Sequence, residues 1–488
     1  MPIKNLFNSI TFFILCCLPI IFIPLFGCER IPNSIVEKPE VNKKDLAEEN
    51  LKRSMDILDR TVSIYLNPQT FEMRRFYNPF LKTLSDEKAS VWMYTSGVEA
   101  VNAVLASLKS IKENGNKGFY DLHYTKYANL LNKMYENADY YLGSFELISF
   151  TQTKTWSVYA VDRVNQKGQA NVSGILNVYD DQMWLIRELL ESYKITGNEK
   201  YLVKAEYLTS YVLDGWDVTL DENGTVSGGI PWGPGYTTKH ACSNSPLISP
   251  LVWLYEIYKN KDDQIESNTI DPKDRKTRIS EQKNKSDYYL KFATDIYNWQ
   301  KEKLLNSDGV YSDMLGGCDP NCAVQYEVVN GVKYRSNTIL KEAVGEAYSY
   351  NSGTMLSGAV ELFDATKDPK YSTDANLLAE NSFKHFASLG KDIPQYYSFE
   401  TDGFKNWFNA VLMRGYKDFT RINLDAGKYL EPFQKNLDYG YDHFVHNGFL
   451  PNNLLLGWEE DKSKNSIEGM FMFTYAAQYA MLSEYYNK

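Results

Sequence analysis

Residues 179–205, YDDQMWLIRELLESYKITGNEKYLVKA, contain the pattern that decides the fold. Their apolar residues recur at three- and four-residue steps, which predicts an amphipathic helix over 181–196. The polar stretch TGN at 196–198 predicts a tight turn. The same spacing resumes over 199–214. The segment is therefore expected to form a hairpin of two helices.

The hairpin pattern recurs along the chain. Residues 360–375 repeat the pattern of 190–205, and a third copy begins at 254–260 and resumes at 289–293. The charged residues 261–287 between its halves predict a solvated insertion in the turn. Stacked helical hairpins form either an open solenoid or a closed toroid. Irregular spacing and long loops rich in glycine and aromatic residues favour the toroid.

Helical periodicity covers most of the remaining chain. Helices are predicted at about 45–64, 89–113, 124–142, 181–196, 199–214, 246–259, 287–304, 353–366, 371–389, 403–420, 425–446 and 466–486. Only short runs such as 309–312 resemble strands, and no strand–helix alternation appears, which argues against an α/β fold. We predict an all-α toroid of helical hairpins, formed by one domain over 46–488, with a cleft at one end.

Composition narrows the class of partner. The 488 residues have a formal net charge of −10 and contain no basic tract, so a nucleic-acid partner is not expected. Aromatic residues make up 14% of the chain. Aromatic rings stack on the apolar faces of sugars, although a tyrosine-rich core explains the same composition.

The N-terminus has the features of an export signal. Lys4 precedes an apolar run over 10–26 that contains two prolines and is short for a membrane-spanning helix. Gly27-Cys28 resembles the lipidation site of bacterial lipoproteins. We therefore predict a signal peptide over 1–27, lipidation of Cys28 and a tether over 28–45, with an uncleaved anchor as the alternative. The predicted location is the bacterial cell envelope, with the outer membrane favoured.

Cysteine usage agrees with export. Cys318 and Cys322 are spaced so that they can close a small disulfide loop in an oxidising compartment. A metal site is the alternative, although no histidine or second cysteine pair lies nearby in sequence. Cys242 is expected to be a buried, small apolar residue.

Two adjacent acids, Asp180 and Asp181, open the helix predicted over 181–196. Asp180 is placed at or near the N-cap, where backbone N–H groups and the helix dipole are expected to lower its pKa. The neighbouring charge is expected to raise the pKa of the second acid, so the two would titrate as a coupled pair. A cap with a spare acid is the alternative to a working pair.

Several segments between helices combine glycine, aromatic and polar residues in equivalent places. One such segment alone is an ordinary loop with an anchoring tryptophan, but their recurrence predicts a lined cleft. The segments are GGIPWG at 228–233 with KHACSN at 239–244, YNSGT at 350–354, FKNWF at 404–408, and Trp458 after Asn452 and Asn453.

The ordered set YDDQMW, TGNEKYL, GGIPW, KHACSN, YNSGT and FKNWF resembles glycoside hydrolase family 76, the bacterial α-1,6-mannanases. The resemblance covers roughly residues 89–488, and the ordered set is more specific than any single motif. It implies an (α/α)6 barrel with the active site in a cleft at one end. It also implies retaining hydrolysis of α-1,6-linked mannan without a metal or other cofactor. We expect a monomer that acts on this polysaccharide.

The resemblance also implies residue roles. Asp180 would be the nucleophile and Asp181 the general acid and base, with carboxyl groups about 5–5.5 Å apart as retention requires. The residues expected to contact sugar are Trp232, Lys239, Asn244, Tyr350, Asn351 and Lys405. The chain departs from the family pattern at His240, where asparagine is usual, at the long polar segment 140–178 and at the insertion 261–287.

Other classes remain open at this point. Exo-acting mannosidases, unsaturated uronyl hydrolases and sugar epimerases share the (α/α)6 architecture. A surface glycan-binding lipoprotein would share the anchor, the helices and the aromatic content, yet would need no acid pair. Endo action is favoured over exo action, although the sequence does not say whether the cleft is open at both ends.

Overall fold

The computed structural model describes residues 42–488. The predicted signal peptide, Cys28 and most of the predicted tether lie outside the described residues. The described part contains twelve α-helices. They are α1 (Lys43–Tyr65), α2 (Val91–Glu113), α3 (Lys117–Ala138), α4 (Tyr179–Thr196), α5 (Glu199–Asp214), α6 (Ile248–Tyr258), α7 (Lys285–Leu304), α8 (Ser349–Thr366), α9 (Pro369–Phe386), α10 (Lys405–Phe419), α11 (Gly427–Phe444) and α12 (Gly469–Tyr486).

Every helix predicted from the sequence is present, and the ends differ by at most four residues except in α3, which begins at Lys117, seven residues before the predicted start at 124. Helix α1 begins at Lys43, so the last residues of the predicted tether already belong to the first helix. In the described part of the chain, no helix is both long enough and apolar enough to cross a membrane.

The helices form two concentric rings. The even-numbered helices pack side by side from α2 to α12, and α12 packs against α2 to close the inner ring. Each odd-numbered helix covers the outside of an inner one, and α1 pairs with α12 across the closure. The fold is therefore an (α/α)6 barrel, which confirms the predicted toroid.

Inner and outer helices differ in sequence as their positions require. Helix α12 is buried on every side from Gly469 to Ser483, because it packs on both neighbours and on an outer helix. Outer helix α9 has a single buried stripe and a polar opposite face. Inner helices α8 and α10 approach closely at Gly353 and Gly415. A Cβ on Gly353 would lie 2.5 Å from a carbonyl oxygen of α10.

The connections decide where a site can form. Consecutive helices are antiparallel, so all inner helices run in one direction and begin at the same end of the barrel. Connections into the inner helices are long, as in 139–178, 215–247 and 305–348, whereas most connections out of them are short, as in 197–198 and 367–368. The N-terminal ends of the inner helices therefore carry the loops that can build a cleft.

Short strands decorate the barrel. Within residues 42–488 there are fourteen strands, which form six small antiparallel sheets. They are β1 (Phe76–Asn78), β2 (Thr83–Leu84), β3 (Leu142–Ile148), β4 (Thr153–Tyr159), β5 (Lys239–His240), β6 (Gln264–Ile270), β7 (Arg278–Asn284), β8 (Met314–Gly316), β9 (Tyr326–Val329), β10 (Val332–Arg335), β11 (Glu342–Val344), β12 (Ser388–Leu389), β13 (Tyr397–Ser398) and β14 (Ile467–Glu468).

Two of these strand pairs correct the sequence prediction. The long polar segment 140–178 contains the hairpin β3–β4, whose two strands have seven residues each. The predicted solvated insertion 261–287 forms the hairpin β6–β7. Hairpin β6–β7 is largely exposed on both faces, so its sequence lacks the alternation of apolar and polar residues that marks a half-buried strand. In β3–β4 that alternation is present, and it was a signal for a hairpin that the prediction missed. The apolar residues that share the less exposed face of β3–β4 are Phe145, Leu147, Trp156 and Val158. Arg278 of β7 donates to the Phe150 carbonyl oxygen at 3.1 Å, which joins the two hairpins.

Candidate active site

The acid pair lies at the start of inner helix α4. The N-cap is Val178, and Asp180 and Asp181 are the second and third residues of the helix. Asp180 is therefore inside the first turn rather than at the cap. Asp181 is 6% exposed, whereas Asp180 is more accessible. The pair sits at the barrel end where the long loops converge.

The loop before α6 brings Trp232 onto the acids. The Trp232 backbone N–H donates to the Thr238 carbonyl at 3.0 Å, and its own carbonyl accepts the Tyr179 N–H at 2.8 Å. These two bonds fix Trp232 beside the first turn of α4. Its indole N–H then donates to Asp180 Oδ1 at 3.1 Å. Trp232 therefore lies beside the acid pair, and its predicted contact with sugar stays a prediction.

The two carboxyls have unequal environments. Burial raises the pKa of Asp180 to about 6, although hydrogen bonds from Trp232 and Cys242 partly lower it. Burial and the Asp180 charge raise the pKa of Asp181 well above the usual range. The expectation of a low pKa for Asp180 was wrong because burial outweighs the helix N-terminus. The expectation for Asp181 was right in direction.

A third carboxyl lies close to the pair. Burial and the nearby Asp180 charge raise the pKa of Asp313 to about 6. Asp313 Oδ2 lies 3.7 Å from His240 Nδ1, and the Asp313 carbonyl accepts the Ala241 N–H at 2.7 Å. Among the described residues, no lysine or arginine forms an ion pair with any of the three carboxyls. The site therefore concentrates carboxyl groups without a neutralising cation.

Two groups of aromatic side chains lie near Asp180. Trp232 packs against Tyr236 at a centroid distance of 4.7 Å and stacks on His240 at 4.9 Å. Tyr350 of α8 also lies near Asp180 and packs against Phe408 of α10 at 4.5 Å. Tyr348, Trp92 and Phe404 extend this second cluster. The arrangement places flat apolar ring surfaces beside a group of carboxyls, the combination that a sugar site requires.

Lys239 is not in the cleft wall. Its side chain is buried, and its ammonium group donates to Asp217 Oδ2 at 2.8 Å and to the Gly228 carbonyl at 2.6 Å. Because both partners lie in the same connection, Lys239 braces that loop from inside. The neighbouring Gly229 serves the same packing, since a Cβ there would lie 2.4 Å from the Trp299 ring.

Two predicted asparagine contacts are also internal. Asn244 is fully buried, and its amide bonds the Ile230 backbone N–H at 2.8 Å and the His240 carbonyl at 2.7 Å. Asn351 is fully buried as well, and neither of its amide atoms has a partner among residues 42–488. Neither side chain reaches the cleft surface in this structure.

The remaining predicted residues belong to helix starts rather than loops. YNSGT forms the first turns of α8 and FKNWF spans the start of α10. Tyr350 lies near Asp180 and Cys242 within the site. The Lys405 ammonium is held by Glu400 at 2.7 Å and Glu346 at 3.1 Å, at the rim of the same end.

The Trp232 loop is secured from outside by a small lobe. The predicted disulfide between Cys318 and Cys322 is present, and Thr237 Oγ1 donates to the Cys322 carbonyl at 3.1 Å. Buried Arg335 of β10 donates to the Pro234 carbonyl at 3.1 Å and also to the Tyr236 carbonyl. These contacts hold the loop that carries Trp232 against the barrel.

Sequence reasoning missed Asp313 and Tyr236 as parts of the site, and it placed His240 and Phe408 only within the motifs that line the cleft, without a role of their own. Asp313 follows a short strand-like run, and nothing in its local pattern separates it from other acids. His240 stood out as a departure from the expected motif, which was a usable signal. The buried thiol of Cys242 was placed correctly in the interior but not beside Asp180.

A six-hairpin barrel whose loop-bearing end presents unneutralised carboxyls between aromatic side chains has the architecture of a carbohydrate-active enzyme. The family model of glycosyl hydrolase family 76 matches residues 114–266 and 277–470, and the chain belongs to that family of glycosidases. The residues between the two matched segments, 267–276, comprise the second half of β6 and most of the turn that leads to β7. Comparison with curated protein sequences gives no match.

Solved structures of family 76 enzymes have the same fold. A family 76 mannosidase from Bacteroides thetaiotaomicron VPI-5482 is 18% identical, with 89% of this chain and 98% of that chain covered and a TM-score of 0.63. The α-1,6-mannanase of Salegentibacter sp. HEL1_6 is 17% identical, with 90% and 100% covered and a TM-score of 0.56. An inactive variant of that enzyme, with two adjacent aspartates replaced by asparagine, was solved with α-1,6-mannotriose at a TM-score of 0.55, 17% identity and coverage of 90% and 100%.

Proposed function

We propose that the protein is a retaining α-1,6-mannanase that cuts within the mannan backbone. The unequal environment of two neighbouring carboxyls carries the proposal. Asp180 accepts the Trp232 N–H and has a pKa of about 6, whereas the pKa of Asp181 is raised well above the usual range. One acid therefore keeps its proton at a pH at which the other is ionised, which glycosidic cleavage requires.

In the proposed reaction, the Asp180 carboxylate attacks the anomeric carbon while Asp181 donates its proton to the leaving oxygen. The glycosidic bond breaks, and the mannosyl group is esterified to Asp180. Asp181, now a carboxylate, takes a proton from water as that water attacks the anomeric carbon. The ester bond breaks, Asp180 is free again, and the product keeps its α configuration.

The substrate assignment draws on two kinds of support. The chain belongs to family 76, and the similar Salegentibacter enzyme is described as an α-1,6-mannanase. The inactive variant of that enzyme has an adjacent aspartate pair replaced, which parallels Asp180 and Asp181 here. The aromatic clusters around Trp232 and Tyr350 supply surfaces on which mannose rings can stack.

Product analysis tests the proposal. The purified protein is incubated with linear α-1,6-mannan and with branched mannan, and the products are followed by chromatography and by proton NMR of the anomeric signals. Early release of oligosaccharides with the α configuration is expected. Absence of any product from both substrates would sink the hydrolase proposal, and mannose alone from the start would make the enzyme exo-acting.

A non-catalytic glycan-binding protein is separated by the acid variants. Asp180→Asn and Asp181→Asn are each expected to lower turnover by at least about 10²-fold and to leave mannan affinity measurable. A binding protein would show no turnover before the substitution and the same affinity after it. Isothermal titration with α-1,6-mannotriose measures the affinity of both variants.

We further propose that the protein is a monomer anchored by a lipid on Cys28 to a membrane of the cell envelope, with the outer membrane favoured. The support is the apolar run over 10–26 that ends at Gly27-Cys28. Membrane fractionation of the wild type and a Cys28→Ala variant tests the anchor. A variant that stays in the membrane fraction to the wild-type extent would contradict it.

A further inference from the structure

We propose that His240 is a positioning residue, which stacks on Trp232 and keeps the indole N–H aimed at the Asp180 carboxylate. The inference rests on the proposed role of Asp180 as nucleophile. His240 forms no hydrogen bond or ion pair with either acid of the pair, and its neighbours in the site are the Trp232 ring and the Asp313 carboxyl. The stacking on Trp232 is the contact that leads to Asp180 through a hydrogen bond.

The stacking geometry is direct. The His240 and Trp232 rings are 4.9 Å apart between centroids, with an angle of 25° between their planes. Tyr236 packs against the same indole at 4.7 Å with an angle of 48°. Trp232 is therefore held by two rings, of which His240 is the more nearly parallel.

The backbone of Trp232 is fixed by hydrogen bonds, so only its side chain can change position. Its N–H and carbonyl are bonded to Thr238 and Tyr179 at 3.0 and 2.8 Å. Rotation about the side-chain bonds would still carry the indole N–H away from Asp180 Oδ1, which it now reaches at 3.1 Å. The stacked imidazole is placed where it opposes that rotation.

His240 is itself a fixed platform. It lies in β5, paired with Met314 of β8, and its Nε2 is 3.0 Å from Thr238 Oγ1. Its side chain is 12% exposed, and burial lowers its pKa to about 4. The imidazole is therefore neutral where Asp180 titrates, so it supports Trp232 without adding a positive charge beside the acids.

The indole N–H favours the ionised form of Asp180, because a donor to a carboxylate lowers its pKa. The titratable groups that face Asp180 come from α4, from the connection before α6, from the connection before β8 and from α8. They are Asp181, Tyr236, His240, Cys242, Asp313 and Tyr350. None is a cation at neutral pH. Loss of the aimed indole N–H should therefore be visible in the titration of Asp180.

The experiment compares pH profiles of kcat/KM on α-1,6-mannan oligosaccharides for the wild type, H240F, H240N and W232F. Phenylalanine keeps the stacking ring without its polar atoms, and asparagine keeps polar atoms without the ring. H240N and W232F are expected to move the acidic limb upward by about 0.5–1 pH unit, the equivalent of one hydrogen bond. H240F is expected to keep the wild-type limb.

Two outcomes would overturn the proposal. One is a uniform fall of kcat/KM at every pH in H240N, with no displaced limb, which a purely structural role would give. The other is a displaced limb in H240F together with a wild-type limb in H240N, which would assign the effect to the polar atoms. Melting temperatures of all variants are measured alongside, so that loss of fold is recognised.

A second readout does not depend on the substrate. In protein labelled with ¹⁵N at the tryptophan indoles, W232F identifies the Trp232 resonance, whose shift with pH follows Asp180. The titration midpoint is expected to rise in H240N and to stay in H240F. If mannan is not cleaved but this pattern holds, the proposed function fails and the positioning role stands. If mannan is cleaved and the midpoints coincide in all proteins, the positioning role fails alone.

Discussion

Both ends of the inner helical ring bury acidic side chains, but the two ends differ in whether those acids are paired with basic side chains. At the C-terminal ends of the inner helices, a cavity of about 510 Å³ is lined by acids and bases in almost equal measure. There Arg414 pairs with Glu99, and Lys417 pairs with Glu484. At the N-terminal ends, the acids around Asp180 have no such partners.

The pKa values show the consequence. Although burial raises the pKa of Glu484, Lys417 and Lys488 lower it to about 2. Burial raises the pKa of Asp180 and Asp313 to about 6, with no cation to oppose it. A buried acid with a paired base stays ionised and chemically silent, whereas one without a base can hold or release a proton near neutral pH.

The largest expected effect comes from removing charge at the N-terminal end. Asp180→Asn should lower kcat on α-1,6-mannan by at least about 10⁴-fold, because the nucleophile is lost. Asp181→Asn should lower it by about 10²–10⁴-fold, the usual range for a general acid. Steady-state kinetics measure both variants, and thermal unfolding serves as the control for fold. Activity within tenfold of the wild type in either variant would contradict the assignment.

Removing a base at the opposite end should act on stability instead. Lys417→Met leaves Glu484 with only Lys488, and we expect a loss of about 3 kcal/mol, the lower edge of the range for breaking a buried pair. The matched control is Lys435→Met, whose exposed pair with Glu431 on α11 is worth at most about 1 kcal/mol. Urea unfolding measures both. A displaced pH profile of activity in Lys417→Met would contradict the claim that the ion pairs at this end affect stability and not catalysis.

The third prediction concerns pH and stability at the active-site end. The folded pKa of Asp313 is about 6 against an ordinary value of 3.8, so the folded state binds the proton more tightly than the unfolded state. The stability that the protonated Asp313 carboxyl contributes is therefore present below pH 4 and is lost as the pH rises through about 6, where the carboxyl ionises in the folded state. Asp313→Asn should raise the free energy of unfolding by about 2 kcal/mol at pH 7 relative to its effect at pH 4. Equal effects at both pH values would contradict this.

The smallest effect is expected at the lobe that braces the Trp232 loop. The disulfide joins residues only four apart, so it restricts a short loop, and its loss should lower stability by at most about 2 kcal/mol. Cys318→Ser with Cys322→Ser tests this by thermal unfolding. Reductant should leave the melting temperature of the double variant unchanged and lower that of the wild type. A larger loss would give the lobe a wider structural role.

The sequence predicted the helices well because the barrel is built from repeated local patterns. The spacing in 181–196 and the turn at 196–198 specify a hairpin without reference to the rest of the chain. Hairpin β6–β7 was missed because its exposed strands carry no comparable pattern, whereas β3–β4 was missed although its residues alternate between apolar and polar over 144–147 and 155–158. Closure of the ring was predicted from loop composition, which is a weaker argument than helical periodicity. The packing of α12 against α2 confirms that closure.

The site was predicted less completely, because side-chain direction is set by tertiary packing. Lys239 and Asn244 looked like ligand donors, yet their polar atoms are used inside the loop that carries them. The pKa of Asp180 moved opposite to the local expectation, because burial depends on residues distant in sequence. His240 lies next to Lys239 in the chain, and only its stacking on Trp232 separates their roles.

The pairing of α1 with α12 has a consequence for folding. The first outer helix finds its inner partner only at the end of the chain, and Ser54 Oγ donates to the Ala476 carbonyl at 2.6 Å across that contact. The apolar face of α1 therefore cannot pack on its partner helix until almost the whole chain has been synthesised. Contacts of such long sequence separation slow folding. A circular permutant that begins at α12 and continues through a linker into α1 would make this contact local and should complete the ring sooner.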